Sequence, residues 1–328
     1  MLKPQTTNTP TMIGQGGDSL REAFGQALVK YADDFPKMVV LDADVAGGTG
    51  THHFRKAKNE RFFQFGIAEQ NMMAAAGGMA ATGLIPIVTT FAVFCLRAYE
   101  QARLSIAYTN RNVKIVASHP GLDVGPDGGS AQCLEDLAAF RALPNMTVIS
   151  PADTVETDLA TLAILKHHGP VYMRTGRSPT PQIFDKTHVF EIGKGQILTD
   201  GHDVTIIACG VQVARSLDAA KILGQEGISA RVINMHTIKP IDKNLIIESA
   251  KKTGCIVTSE DHNIMGGLGS AVCEVLSTNY PCPVELNGVQ DVFGSSGDPK
   301  ALAEAYGLSA QHIYEAAKKA MNRKQKIK

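Results

Sequence analysis

Short apolar runs rich in β-branched residues alternate with longer amphipathic or apolar runs along the chain. The short runs have the length and composition of buried strands, and the longer runs have those of helices. Nearly continuous apolar strands are typical of parallel sheets covered by helices on both faces. The pattern therefore predicts an α/β fold with mainly parallel sheets. The predicted strands are KMVVLDAD, LIPIVTTF, NVKIVAS, MTVIS, PVYMR, DVTIIACG, ARVINM, GCIVTSE and PVELNG.

A proline-containing segment interrupts this alternation after Arg177, and it is the best linker candidate. A chain of 328 residues is long enough to form two cores. We therefore expect an N-terminal tail over residues 1–17, a larger domain over residues 18–186 and a smaller α/β domain over residues 187–328.

Two helix starts carry recognisable capping residues. Ser19 precedes the first amphipathic run, and its hydroxyl is predicted to cap that helix. Asp153 is followed three residues later by Glu156, which is the spacing of a capping box. Both positions therefore predict where a helix begins.

Residues 70–96 carry no Asp, Glu, Lys or Arg, and this stretch is long enough to cross a membrane. It contains Gln70, Asn71 and Pro86, however, and its composition changes near Ile85 from Ala, Gly and Met to β-branched residues. A buried helix followed by a buried strand explains this change better than a membrane span does.

Charge and cysteine content narrow the class of protein. Lys plus Arg (32) equals Asp plus Glu (32), so no net charge attracts nucleic acid or an anionic membrane. The six cysteines form no CxxC pair and no metal-type spacing, and the first residues lack a secretory apolar run. We therefore expect reduced thiols, a cytoplasmic protein, no metal held by this chain, and small-molecule or protein partners.

Two stretches in or beside the uncharged segment contain residues that could act in catalysis or ligand binding. Glu69 begins a helix rich in small residues, where it could be an ordinary first-turn acid or a functional carboxylate. The absence of other charges nearby counts against an exposed helix end. Phe91 and Phe94 follow where a strand gives way to a helix, and they could pack in a core or stack on a ring.

Two strand ends carry further polar residues. The loop SHPGLDVGPDGGSAQ contains His119, Asp123 and Asp127 directly after a predicted strand, where α/β sheets place ligands. Arg174 and Arg177 end another strand and suit a phosphate, a carboxylate or ordinary ion pairs. The stretch IMGGLGSAV lacks the GxGxxG pattern, which favours a close turn between strand and helix over a dinucleotide site.

Several of these stretches, in this order, resemble the second half of a transketolase. They are SLREAFGQAL, LDADVAG, FGIAEQNM, TTFAVFCLRAYEQAR, SHPGLDVGPDGG, LPNMTVISPAD, VYMRTGRS and TSEDHNIMGGLGSAVCE. The resemblance implies a pyrimidine-binding domain followed by a C-terminal domain. The family's diphosphate motif, a GDG followed by an Asn pair, does not occur in the sequence. We therefore expect an N-terminal partner subunit that supplies it, in a heterotetramer of two plus two chains.

The resemblance also implies thiamine diphosphate shared with the partner subunit, and Mg²⁺ or Ca²⁺ bound by that subunit. Glu69 matches the family's catalytic glutamate, which hydrogen-bonds a pyrimidine nitrogen and promotes formation of the thiazolium nucleophile. Phe91 matches the aromatic residue that stacks on the pyrimidine, and Phe94 lies beside it. Asp44 matches an acid near the cofactor across the subunit interface, and Arg97 is assigned to the same cofactor region.

Four further positions match substrate contacts of the family. Asp127 is expected to accept a hydrogen bond from a sugar hydroxyl, and Arg21, His119 and Arg177 are expected to bind the acceptor's phosphate. Two positions depart from the family pattern: Ala131 stands where a histidine contacts the donor sugar, and Gly48 stands where a serine is expected. These departures suggest a transketolase specialised for an unusual sugar phosphate, such as a branched, deoxy or sulfonated one.

Other readings stay open at this point. The stretch RAYEQ is also similar to deoxyxylulose-phosphate synthase, and a separate chain of this kind is similar to a 2-oxoacid or acetoin dehydrogenase beta-subunit. A subunit that has lost activity and kept its interface is the alternative outside the enzymes.

Overall fold

The computed structural model describes residues 18–327, so the predicted tail over residues 1–17 lies outside the described residues. Within them the chain forms a seven-stranded and a five-stranded sheet, both covered by helices. One apolar core continues from the first sheet, at Leu41, to the second, at Ile207. The predicted α/β fold with mainly parallel sheets is confirmed.

The first sheet has the strand order β10-β5-β6-β4-β3-β1-β2, and all its pairs are parallel except β10 with β5. Its strands are β1 Met38–Asp42, β2 Phe62–Gln64, β3 Ile85–Phe91, β4 Lys114–Ser118, β5 Thr147–Ile149, β6 Val171–Thr175 and β10 Thr237–Lys239. Its helices are α1 Leu20–Tyr31, α2 Ala46–Thr49, α3 His52–Ala57, α4 Glu69–Ala81, α5 Ala92–Arg97, α6 Tyr99–Gln101, α7 Asp136–Ala142 and α8 Thr154–Lys166, with 3₁₀ turns at Asn59–Arg61 and Leu122–Asp127 and a π-helix at Ala102–Tyr108.

The second sheet has the order β12-β11-β8-β9-β7, with β7 antiparallel to β9 and the other pairs parallel. Its strands are β7 Gln196–Thr199, β8 Val204–Ala208, β9 Ala230–Asn234, β11 Ile256–Asn263 and β12 Val284–Val289. Its helices are α9 Gln212–Gln225, α10 Lys243–Thr253, α11 Leu268–Asn279, α12 Pro299–Ala305 and α13 Ala310–Ile327. No helix or strand lies between β6 and β7, and the boundary expected near residue 186 stays a prediction.

Every strand predicted from an apolar run is present, but three strands were not predicted. β2, β7 and β10 are only three or four residues long and lie at sheet edges. Such short edge strands are half exposed or antiparallel, so they leave no continuous apolar run in the sequence. β10 comes from the second half of the chain and extends the first sheet, which ties the two halves together.

The two predicted helix starts behave differently. The side chain of Asp153 accepts a hydrogen bond from the Glu156 amide, 2.8 Å away, as a capping residue does. Glu156 does not complete the box at Asp153, because its carboxylate accepts from the amide of Ala152 instead. Ser19 occupies the N-cap position of α1 but its hydroxyl makes no capping hydrogen bond, so this prediction was wrong in detail.

The uncharged stretch of residues 70–96 contains most of α4, all of β3 and most of α5. The expected buried strand is found, but the expected buried helix is only half buried: the buried residues of α4 include Met72, Met73 and Ala76, while Gln70, Asn71, Ala74 and Gly78 are exposed. Among the described residues no helix is both long and apolar enough to span a bilayer.

Candidate functional site

Four neighbouring parallel strands, β6, β4, β3 and β1, bring the candidate residues to one edge of the first sheet. Parallel strands end at the same edge, so the residues that follow them meet there. Gly48 follows β1, Phe91 ends β3, His119 follows β4 and Arg177 follows β6. Residues far apart in sequence thus form one site because of the strand order.

A stack of rings occupies the centre of this site. The rings of Phe91 and His119 are stacked with their centroids 3.8 Å apart, and Phe94 is nearly parallel to Phe91 at 5.4 Å. Gly48 leaves the space for this arrangement, because a Cβ atom there would lie 2.5 Å from Cε1 of Phe91. A serine at this position would force the Phe91 ring to move. The observed position of the Phe91 ring therefore requires the glycine at position 48.

His119 is held neutral by its surroundings. Burial, together with the smaller effects of the positive charges of Arg21 and Arg177, lowers the pKa of His119 from 6.5 to about 3. The Nδ1 atom of His119 lies 2.9 Å from the hydroxyl of Ser118, which orients the ring. The site therefore has two permanent cations and an uncharged imidazole, a combination that suits an anionic group.

The two arginines are anchored by the chain's own oxygen atoms. Arg21 Nη1 donates to the carbonyl of Gly48 at 3.3 Å, and its buried Nε has no hydrogen-bond partner among the described residues. Arg177 donates to the carbonyl of Val124 and lies 3.4 Å from the carboxylate of Asp127. The structure thus brings together all four residues predicted to bind substrate.

Glu69 is the first residue of α4 and is 5% exposed. The preceding Ala68 offers no capping side chain, and no residue in the described part of the chain hydrogen-bonds or pairs with the Glu69 carboxylate. Glu69 also lies near α5, since the pKa of the Cys95 thiol is raised by burial, by Asp136 and by Glu69. The Glu69 carboxylate is thus left without a partner among the described residues, near Cys95 of α5.

Asp44 and Arg97 are less tightly connected to this site. Both are exposed, and neither side chain makes a hydrogen bond or an ion pair within residues 18–326. The Asp44 backbone is in the left-handed conformation (φ 65°), and its amide donates to Gln64 at 2.9 Å. Their cofactor roles stay predictions.

Two other candidate side chains are committed to structural contacts. Arg174 forms a two-pronged ion pair with buried Asp136, and Arg174 Nε lies 2.7 Å from Asp136 Oδ2. Burial raises the pKa of Asp136, but Arg174 outweighs burial and keeps it below its ordinary value. Asp123 accepts a hydrogen bond from the Ser178 amide at 3.0 Å. Arg174 is therefore committed to the fold, and one oxygen of Asp123 is used to hold the Ser178 amide.

A loop of the second half of the chain supports the substrate loop, and sequence reasoning missed it. Gln132 donates to the carbonyl of Ser295 at 3.0 Å, and a Cβ atom at Gly129 would lie 2.5 Å from the carbonyl oxygen of Gly294. The only signal was the Gly- and Ser-rich stretch VFGSSG. This loop helps to set the position of the segment that carries Asp127 and Ala131.

The IMGGLGSAV stretch is a close turn from strand to helix. Both oxygen atoms of Glu260 accept hydrogen bonds at the start of α11, from the amides of Leu268 (2.7 Å) and Gly269 (2.8 Å). A Cβ atom at Gly267 would lie 2.0 Å from this carboxylate. The chain's own acid thus fills the place that a phosphate would take in a dinucleotide site.

Comparison with known proteins identifies relatives over nearly the whole chain. A family model described as the transketolase pyrimidine-binding domain matches residues 18–182, and one described as the transketolase C-terminal domain matches residues 193–313. A protein of Methanocaldococcus jannaschii described as a transketolase C-terminal section is 46% identical over 298 residues, which cover 90% of this chain and 93% of the relative.

Three further matches extend this result. The 6-deoxy-6-sulfo-D-fructose transketolase subunit SqwH of Clostridium sp. is 40% identical over 306 residues, which cover 93% of this chain and 95% of the relative. A solved structure described as a split-gene transketolase, an inactive β4 tetramer, is 50% identical with a TM-score of 0.88, and the match covers 94% of this chain and 100% of that one. A transketolase from Leishmania mexicana shares the fold at 23% identity and a TM-score of 0.77, over 96% of this chain and 47% of that one.

Proposed function

Because the chain belongs to the transketolase family and matches its C-terminal section, we propose that it acts as one subunit of a two-chain transketolase. The complete enzyme would transfer a two-carbon ketol unit from a ketose phosphate to an aldose or aldose phosphate. An N-terminal subunit would provide the diphosphate site with its Mg²⁺ or Ca²⁺, in an assembly of two plus two chains. The split-gene relative is described as an inactive β4 tetramer, which supports the need for that subunit.

The uncommitted carboxylate of Glu69 is the observation that carries this proposal. No described residue bonds this carboxylate, so it is available to a ligand, and an aminopyrimidine nitrogen would be a suitable hydrogen-bond partner. Thiamine diphosphate, when bound, supplies a nucleophilic carbon that can accept and pass on a ketol unit. Glu69 would hold the proton at the ring nitrogen, which is what activation of that carbon requires.

The aromatic pair supports the same placement of the cofactor. Phe91 and Phe94 lie nearly parallel, with an interplanar angle of 13°. Flat rings of this kind stack well on a planar heterocycle. Glu69 at the start of α4 would therefore bind the edge of a pyrimidine, and Phe91 at the end of β3, with Phe94 beside it in α5, would bind its face.

The charged part of the site would bind the substrate. Arg21 and Arg177 suit a phosphate or another tetrahedral anion, and neutral His119 can add a hydrogen bond without adding charge. Asp127 is exposed beside Arg177 and could accept from a sugar hydroxyl. We propose that these four residues fix the anionic end and one hydroxyl of the sugar.

Gly48 and Ala131 support a specialised substrate. Each removes a polar side chain that the family pattern places near the sugar, while the two arginines are kept. A relative of similar length bears the name of a sulfo-sugar transketolase subunit. A sulfonate and a phosphate both present tetrahedral oxygens to guanidinium groups, so we propose a sugar phosphate or sulfonate that differs from the ordinary pentose phosphates.

Co-purification with an N-terminal transketolase subunit from the same genome tests this function. Thiamine diphosphate should bind with Mg²⁺ only when both chains are present, and ketol transfer should appear in a screen that includes pentose phosphates and a sulfonated ketose. Efficient transfer between ordinary pentose phosphates alone would contradict the specialised substrate. Transfer from pyruvate would instead indicate a synthase of the deoxyxylulose-phosphate type, and failure to bind cofactor would favour a non-catalytic subunit.

A further inference from the structure

We propose that Glu22, His52 and His53 form a binding site for a divalent transition metal ion of the Zn²⁺ class. Glu22 lies in the first turn of α1, and the two histidines are the first residues of α3. One ligand atom from each residue lies within 4.8 Å of the other two, and Glu22 Oε2 is 2.8 Å from His53 Nε2. Within the described part of the chain, this is the one such group of three.

The backbone holds the three ligands in place before any ion binds. A Cβ atom at Gly25 would lie 2.1 Å from the carbonyl oxygen of Gly50, and a Cβ atom at Gly50 would lie 2.1 Å from that of Arg21. Gly50 also has φ 76°, which disfavours other residues. Only glycines permit this contact between α1 and the turn before α3, so the spacing between Glu22 and the histidines is built into the fold.

The side chains are accessible to an ion and only weakly committed elsewhere. The side chains of His53 and Glu22 are 35% and 30% exposed. The imidazole of His52 makes no hydrogen bond to any residue that the structure describes, and its Nδ1 is shielded from solvent. The rings of His52 and His53 have centroids 4.0 Å apart, which brings two nitrogen donors to the same place.

The donor set selects the kind of metal. Two imidazoles and one carboxylate suit Zn²⁺, whereas Mg²⁺ and Ca²⁺ prefer oxygen ligands. Ligands of a tetrahedral Zn²⁺ lie about 3.3 Å apart, given bonds of about 2.0–2.1 Å. The Glu22 and His53 atoms, 2.8 Å apart without an ion, would separate slightly, any pair now farther apart would approach, and water would take the fourth position.

Metal titration of the full chain tests this site without any need for enzyme activity. After treatment with a chelator, Zn²⁺ should bind at one ion per chain in a competition assay with a metal indicator, and Co²⁺ should give the visible absorption of a tetrahedral complex. Mg²⁺ should not compete. Removing a residue that only hydrogen-bonds a metal ligand lowers metal affinity by about 10- to 100-fold. Glu22→Gln and His53→Gln each remove a ligand itself, so each should lower the Zn²⁺ affinity by at least that factor.

The matched control is His202→Ala, since His202 is exposed and lies outside the site. This variant should bind Zn²⁺ like the original chain, and Zn²⁺ should raise the melting temperature of both but not of Glu22→Gln or His53→Gln. Both glutamine variants keep a polar side chain, and circular dichroism would verify their fold. Unchanged Zn²⁺ stoichiometry and affinity in the two glutamine variants, or no binding to the original chain, would overturn the proposal.

Discussion

Two buried glutamates, Glu69 in the first turn of α4 and Glu260 in β11 beside the start of α11, differ in their hydrogen-bond partners. Glu260 accepts hydrogen bonds from two amides at the start of α11, whereas Glu69 at the start of α4 accepts none from the described residues. Burial and a Gly- or Ala-rich sequence are common to both. The hydrogen-bond partners of a buried acid, rather than its burial, therefore distinguish a structural carboxylate from one that is available to a ligand.

The same contrast appears between two arginines at the end of one strand. Arg174 is buried and held by both oxygens of Asp136, while Arg177 is partly exposed with a longer contact to Asp127. A guanidinium that is fully paired inside the protein depends on its partner, and one at the rim of a site can still bind an anion. Four single substitutions test these two contrasts.

The largest loss of stability is expected for Asp136→Ala. It leaves the Arg174 charge buried without its partner, which costs about 3–5 kcal/mol in the free energy of unfolding. Asp127→Ala is the matched control, because the pair of Asp127 and Arg177 is more exposed and should contribute less than about 1 kcal/mol. Urea denaturation measures both variants, and equal losses would break the contrast between the two arginines.

Glu260→Gln should lower the free energy of unfolding by about 2–3 kcal/mol. The carboxylate accepts from two buried amides, whereas a glutamine side chain is neutral and has only one acceptor oxygen. The same change at Glu69 should alter the free energy of unfolding by less than about 1 kcal/mol, because no described residue depends on that carboxylate. Urea denaturation compares the two variants directly. A large loss from Glu69→Gln would mean that its carboxylate is structural after all.

Gly48→Ser should displace the Phe91 ring at a cost of about 1–3 kcal/mol, the usual range for overpacking. In the assembled enzyme it should also weaken thiamine diphosphate binding, because the stacked rings move. Denaturation and a cofactor titration measure the two effects. Gly47→Ser is the control, since a Cβ atom at Gly47 meets nothing within 4 Å. Equal behaviour of the two serines would show that Gly48 does not set the ring position.

The smallest effect near neutral pH is expected from His119. Its pKa is lowered to about 3 in the folded chain, mainly by burial, from an ordinary value of 6.5. The unfolded chain therefore binds a proton that the folded chain does not, and stability is lost as pH falls from about 6.5 towards 3. This group contributes a slope of up to about 1.4 kcal/mol per pH unit. His119→Asn should reduce the measured slope in that window, and an unchanged slope would contradict the shift.

Much of the fold was predictable because buried parallel strands leave continuous apolar runs. The edge strands β2, β7 and β10 were not, since three or four half-exposed residues carry no such signal. The site edge followed from the rule that ligands lie at the carboxyl ends of strands. The full burial and pairing of Arg174, and the partial exposure of Arg177, could not be predicted, because Asp136 and Asp127 pair with them through the tertiary structure.

The group of Glu22, His52 and His53 was also hidden in the sequence. Its members lie on two helices, and the close contact of Gly25 with Gly50 that joins them depends on the packing of those helices. The sequence likewise does not show that Glu69 lacks a hydrogen-bond partner among the described residues. Sequence patterns give the position of a side chain along an element, whereas the presence or absence of its partners follows from the packed structure.

The most direct measurement compares Glu69→Gln with the original chain after assembly with the N-terminal subunit. Ketol transfer and the free energy of unfolding are measured on the same preparations, and Glu304→Gln, a change at an exposed acid, is the control. Glu69→Gln should lose turnover to background while its stability changes by less than about 1 kcal/mol. Near-normal turnover in Glu69→Gln would contradict the role given to this buried, unpartnered acid.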